Sequence, residues 1–180
     1  MRNIANFLFE AGMLKRTPRS GFQFLGTGAE SVAEHIFRTT YIGYALGKME
    51  KNIDVDKLIK MCLFHDLPEA RTGDLNYVNK KYVAADEQRA VQDLTSTLPF
   101  GSELLAIINE YEEGRTKESL LAKDADQLEM ILALKEYKEF KDLQESKGFK
   151  VLPVQLVHKE YKVLPVQPVH KEYKVLLVLQ

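Results

Sequence analysis

The chain has no tryptophan and a single cysteine among 180 residues. Cys62 alone can form neither an intramolecular disulfide nor a cysteine-rich zinc site, which fits a reducing, cytoplasmic setting. No stretch reaches the ~18 consecutive apolar residues that a membrane span needs. The opening segment MRNIANFLFEAGML is interrupted by Asn6 and Glu10 and lacks a small-residue cleavage site, so no signal peptide is expected. Neither sign of charge dominates: 25 basic residues stand against 26 acidic ones, leaving no broad positive field for a nucleic acid polymer or an anionic membrane. Any phosphate recognition must therefore be local. What remains is an ordinary globular composition, 45% hydrophobic, which is enough to bury a core in one domain and excludes wholesale disorder.

Sustained period-two alternation is also missing, whereas apolar residues recur at spacings of three and four through most of residues 1–142. That pattern predicts an all-α fold. Ile4, Phe7, Leu8, Ala11 and Leu14 form the first stripe, followed by a basic loop over 15–22 with Pro18 and Gly21. Ser31 with Glu34 three residues later predicts a reciprocally capped helix running to about Lys48. Asp54 is the expected cap of a helix that reaches His65 and Asp66 before Pro68 disturbs the backbone. Further helices are expected over 84–98, 102–113 and 117–142, stopped by Pro99, Gly114 and the region of Gly148.

Half of the six prolines fall near the end, where the character changes. KVLPVQLVHKEY at 150–161 returns as KVLPVQPVHKEY at 162–173, and a third copy begins at Lys174. A twelve-residue unit is shorter than those of known solenoids, and Pro153, Pro165 and Pro168 oppose a helix. The expectation is an all-α domain over 1–148 and an extended, weakly packed tail over 149–180. Such a duplication is also the signature of a frameshift or cloning event. His158 and His170 are copies of one another, so their recurrence says little about metal binding.

Outside the tail only His35 and His65 are left. His35 shares a helical face with Val32, Thr39, Ile42 and Leu46; His65 shares one with Leu58, Met61 and Cys62. Asp66 follows directly, and Asp124 and Asp126 lie in the most apolar part of the last long helix. An unpaired carboxylate in an apolar interior costs several kcal/mol even after relaxation, so a cation is a natural compensation. Imidazole with carboxylate suits one divalent ion, Mn, Co, Fe or Ni as readily as Zn. Taken singly, each histidine is more simply a hydrogen-bonded, half-buried side chain; it is the combination that points to a metal. Periodicity does not choose between Asp124 and Asp126.

The stretches KRTP at 15–18, ESVAEH at 30–35, FHDLPEARTGDL at 64–75 and AKDADQLEM at 122–130 together resemble the HD-domain metal-dependent phosphohydrolases, and within them the 5'-deoxynucleotidases. The resemblance spans 15 to about 140 and implies an HD-type helical bundle. It implies metal ligation by His35, His65, Asp66 and Asp126, with Glu69 handling the attacking water and Asp66 bridging ion and substrate. Arg16 resembles the phosphate-orienting arginine, with Thr17 beside it; Asp74, Asn76 and Tyr77 resemble the sugar-contacting turn. Bacterial members carry a tryptophan where Thr17 stands, which leaves stacking on the base or sugar unassigned.

The implied activity is hydrolysis of deoxynucleoside 5'-monophosphates, a small-molecule nucleotide substrate, by a cytoplasmic homodimer. Other reactions of the family, on nucleoside triphosphates or cyclic phosphodiesters, are the alternatives, as is a catalytically idle nucleotide-binding module. Read without the resemblance, Glu69 is equally a carboxylate placed at a helix N-terminus after Pro68, KRTPR a solvated basic loop, and TGDLNY a simple turn.

Overall fold

The computed structural model describes residues 2–25 and 29–146; the repeats, and with them the expected tail and the 148/149 boundary, lie outside the described residues. The described chain is helical throughout, without a strand beyond an isolated antiparallel bridge between Pro18 and Ser31. In order, the helices are α1 (Arg2–Met13), α2 (Phe22–Leu25), α3 (Val32–Met49), α4 (Val55–Phe64), α5 (Glu69–Thr72), α6 (Glu87–Thr95), α7 (Gly101–Glu113) and α8 (Lys117–Ser146). A 3-10 turn over Asn79–Lys81 separates α5 from α6. Among the described residues no helix is long and apolar enough to cross a membrane.

Local chemistry sets the helix starts. Glu34 N–H donates to Ser31 Oγ while Ser31 N–H donates to Glu34 Oε2 at 2.7 Å, the reciprocal box that opens α3. Asp54 and Asp86 accept from backbone amides three residues on and open α4 and α6. Gly114 ends α7 with φ +61°, a conformation that costs glycine nothing. The first stripe is correct for Ile4, Phe7, Ala11 and Leu14, but Leu8 is 62% exposed: it lies one residue off the buried stripe. The basic loop also contains the short helix α2, a single turn below the length that periodicity can detect.

Two apolar clusters organise the bundle. Leu46, Leu58, Met61, Cys62, Ile107, Tyr111, Leu121, Ala122, Ala125 and Leu128 form one, drawn from α3, α4, α7 and α8. Val32, Ile36, Leu67, Val91, Leu94, Leu104 and Ile108 belong to the other. Helices α3 and α7 contribute to both and so tie them together. Fully burying a side chain such as Leu58 or Met61 contributes about 1.5–3 kcal/mol. The approach of α3 to α4 is close because Gly43 and Gly47 face it: a Cβ at Gly43 would lie 2.5 Å from Cys62 Sγ, and one at Gly47 3.0 Å from Leu58 Cδ2. On the outside, Arg71 of α5 forks onto Glu10 of α1, with Nε–Oε2 2.7 Å and Nη2–Oε1 3.0 Å, and lies 3.7 Å from Asp93 of α6.

Candidate active site

The α3–α4–α8 crossing brings the two core histidines and the last-helix aspartate together. His35 on α3 is fully buried; His65, the residue that ends α4, is 5% exposed. His35 Nε2 lies 3.0 Å from Asp126 Oδ1 and 3.5 Å from Asp66 Oδ2; His65 Nε2 lies 3.3 Å from Asp66 Oδ2 and 3.9 Å from Asp126 Oδ1. One donor atom from each of His35, His65 and Asp126 falls within 4.8 Å of the others, and Asp66 borders this set through its contacts with both imidazoles. Asp126, not Asp124, is thus the aspartate beside the histidines; Asp124 is half-buried elsewhere on α8.

The residues fit a cation on two grounds. Both imidazoles have Nδ1 engaged, His35 with Glu129 Oε2 at 2.5 Å and His65 with the Cys62 carbonyl at 2.9 Å, so both Nε2 atoms turn inward. There, despite the short distances, His35 Nε2, His65 Nε2 and Asp66 Oδ2 are buried with no aligned hydrogen bond. Buried polar atoms converging without partners are unusual and call for an ion or water. The charge balance says the same. Burial opposes charge on His35, yet Asp126 and Glu129 outweigh it and push the imidazole up to about 9. Burial likewise opposes charge on His65, which Asp66 still raises. Asp66 and Asp126 are held low, against their burial, by the imidazoles, with Arg19 adding to the effect on Asp66. The pocket demands positive charge, which protons or a divalent ion can satisfy.

Glu69 opens α5 beside this cluster. Burial first, and then the negative charges of Asp66 and Asp74, push its carboxyl up to about 9, and its Oε2 is buried without a hydrogen-bond partner. Asp74 Oδ2 accepts the Ser20 N–H at 2.8 Å and lies 4.0 Å from Arg19 Nη1. Arg19 Nη1 is also 3.5 Å from Asp66 Oδ2, so the arginine that the structure sets against the cluster is Arg19, a residue read from the sequence only as part of a basic loop. Arg16 is exposed, and among the described residues no ion pair joins it to the cluster. Thr17 donates from Oγ1 to the Met13 carbonyl. Asn76 Oδ1 accepts from the Val78 and Asn79 amides, and Tyr77 is 61% exposed beneath Lys81 Nζ.

Sequence reasoning also passed over Glu129, which is 1% exposed, and Arg38, which grips it. Glu129 is held low by His35 and Arg38 against its burial. A signal existed: Arg38 stands three residues after His35 and Glu129 three after Asp126, one helical turn each.

Comparison with known proteins agrees with this geometry. The family described as "HD domain" matches residues 11–160. The chain is 37% identical to the 5'-deoxynucleotidase HDDC2 of Dictyostelium discoideum over 151 residues, covering 77% of this chain and 80% of that protein. It is 30% identical to the human protein of that name, covering 77% and 70%. Among solved structures, a conserved hypothetical protein from Pyrococcus furiosus superposes with a TM-score of 0.67 at 36% identity, covering 74% of this chain and 82% of that one. A predicted metal-dependent phosphohydrolase from Magnetospirillum magnetotacticum gives 0.62 at 25% identity, covering 73% and 70%.

Proposed function

The chain belongs to the HD domain family, and from that premise we propose that it is a metal-dependent phosphomonoesterase that converts deoxynucleoside 5'-monophosphates to deoxynucleoside and phosphate. The observation that carries the reading is the inward convergence of unpartnered His35 Nε2, His65 Nε2 and Asp66 Oδ2 on the Asp126 carboxylate. His35, His65, Asp66 and Asp126 would hold one divalent ion, whose identity among Mn, Co, Fe, Ni and Zn the donor set does not select. Such an ion, when bound, supplies Lewis acidity toward water and the phosphoryl oxygens.

The chain's own groups account for the rest. Glu69, whose Oε2 is buried without a partner beside the cluster, is suited to orienting the attacking water and, in its ionised form, to taking its proton. Arg16, exposed and bearing a planar fork, would reach two non-bridging phosphate oxygens, with Thr17 beside it. Asp74, fixed by the Ser20 amide, and the Asn76–Tyr77 turn would face the sugar, where a pocket packed against the 2' carbon would exclude the ribose hydroxyl. A second copy of the chain is proposed as partner; the exposed Phe37 and Tyr41 of α3, with ring centroids 4.9 Å apart, support an apolar contact surface. A cytoplasmic setting belongs to the same proposal and rests on the lone, buried Cys62.

The test is phosphate release from ribo- and deoxyribonucleotide mono- and triphosphates, with Mn or Co and with chelator. Deoxynucleoside monophosphates are expected to be cleaved only with metal, and Glu69→Ala is expected to abolish turnover while the protein still binds the ion. Preference for triphosphates or cyclic phosphodiesters would move the chain to another reaction of the family, and inactivity on every substrate would leave a binding module.

A further inference from the structure

Beyond the four groups that face inward, a second layer of side chains leads outward from His35. Glu129 Oε2 lies 2.5 Å from His35 Nδ1. Its other oxygen, Oε1, accepts from Arg38 Nε at 2.9 Å and Nη2 at 2.6 Å, so one guanidinium edge grips one carboxylate oxygen. Arg38 is pinned in turn by Glu136 Oε2 at 2.6 Å from Nη1, and Glu30 Oε1 lies 3.4 Å from Nη2. The layer runs from fully buried His35 through Glu129, 1% exposed, to Arg38 and then to Glu136 at the surface, 66% exposed. It joins α3 to α8, the two helices that supply His35 and Asp126.

The consequence follows from donor and acceptor roles. An ionised carboxylate only accepts, so Nδ1 of His35 must donate, and in the neutral ring the single proton sits on Nδ1. Nε2 then carries a lone pair and faces Asp126 at 3.0 Å. His65 reaches the same tautomer by donating Nδ1–H to the Cys62 carbonyl, a backbone group that no substitution removes. His35 differs because its orientation rests on a side chain, and that side chain's own angle rests on Arg38. We propose that Glu129 is a positioning residue for His35, locked by Arg38, and that this pair sets how tightly the site holds its ion. The inference rests on the metal reading of the preceding subsection.

The test measures Mn2+ and Co2+ dissociation constants of the metal-stripped protein by competition with a chelating dye, on samples that circular dichroism shows to be folded. Glu129→Gln is expected to weaken binding by about 10- to 100-fold, the range for lost partners of metal-bound histidines. Arg38→Gln, on a side chain 27% exposed and so tolerant of change, is expected to weaken it by a smaller factor, with Arg38→Lys in between because the charge stays while the fork is lost. Glu136→Gln, at the outer end, is expected to stay within about twofold of wild type. A merely structural role for Glu129 would lower the melting temperature in chelator and leave the dissociation constant unmoved. Should Glu129→Gln not fold, Arg38→Gln decides. Dissociation constants within about twofold of wild type for Glu129→Gln and Arg38→Gln would overturn the positioning role while leaving the metal reading intact; a wild-type protein that binds neither ion overturns both.

Discussion

Substituting Gly43 by alanine tests whether the close approach of α3 to α4 is as tight as it looks. In an exposed helix the change would stabilise by about 1 kcal/mol, since alanine exceeds glycine in helix propensity by roughly that amount. Here the new methyl would sit 2.5 Å from Cys62 Sγ, well inside the roughly 3.5–4.0 Å of an ordinary contact, and Cys62 is fully buried. Overpacking of this kind costs about 1–3 kcal/mol, so the net expectation is destabilisation by about 0–2 kcal/mol. The sulfur is the only severe obstacle: the next atoms, Cys62 Cβ at 3.6 Å and Ala125 Cβ at 3.9 Å, are ordinary contacts. In a Cys62→Ala background, therefore, the same substitution is expected to stabilise by about 1 kcal/mol, giving a coupling energy of about 1–3 kcal/mol between the two positions. Urea unfolding of the four proteins, followed by circular dichroism in chelator, measures it. Additive effects, or stabilisation by Gly43→Ala in the wild-type background, would refute the argument. Because Cys62 lies one turn before His65 and Ala125 precedes Asp126, the single variant is also expected to bind metal more weakly.

Three further outcomes are expected. Against its burial, Asp126 and Glu129 push His35 up to about 9, above the ordinary 6.5, so its contribution to stability is expected to be complete below about 6.5 and lost as pH rises through 9. Since a ligating imidazole must be neutral, metal affinity is expected to rise at least about tenfold per pH unit between 7 and 9, more where His65 also loses a proton, and a flat profile in titration calorimetry would contradict the proposed ligand. Metal at 100 times its dissociation constant is expected to stabilise the fold by about 2.7 kcal/mol, read as a rise of roughly 5–10 °C in melting temperature that chelator reverses; no shift would argue against a resident ion. Arg16→Ala should leave melting temperature and metal binding unchanged, because the side chain is exposed, while lowering kcat/KM on a monophosphate by about 10- to 100-fold. Wild-type kinetics would remove its phosphate role and direct attention to Arg19.

Much of the fold could be read from the sequence because its helices are locally marked. The Ser31–Glu34 box and the Asp54 cap are three-residue signals, and the stripes of α3 and α4 place His35 and His65 on buried faces by spacing alone. Local signals cannot say which buried groups meet. Asp124 and Asp126 are alike by period, and only the packing of α8 on α3 separates them. Arg19 escaped assignment because its role depends on the loop folding back so that Ser20 caps Asp74, a contact 54 residues apart in sequence. Glu129 escaped because a glutamate among apolar neighbours reads as a solvated position until Arg38 is seen to share its charge.

The fork of Arg71 onto Glu10 has an effect reaching past its own surface. Helix α5 is one turn long, too short to persist unaided, yet it presents Glu69 to the cluster. It is moored from outside, to α1 through Glu10 and to α6 through Asp93, by contacts that are half-exposed and open to screening. His35 and Asp126 thus sit on long, insulated helices, while the carboxyl beside them hangs from a tether whose tension the surrounding electrolyte sets.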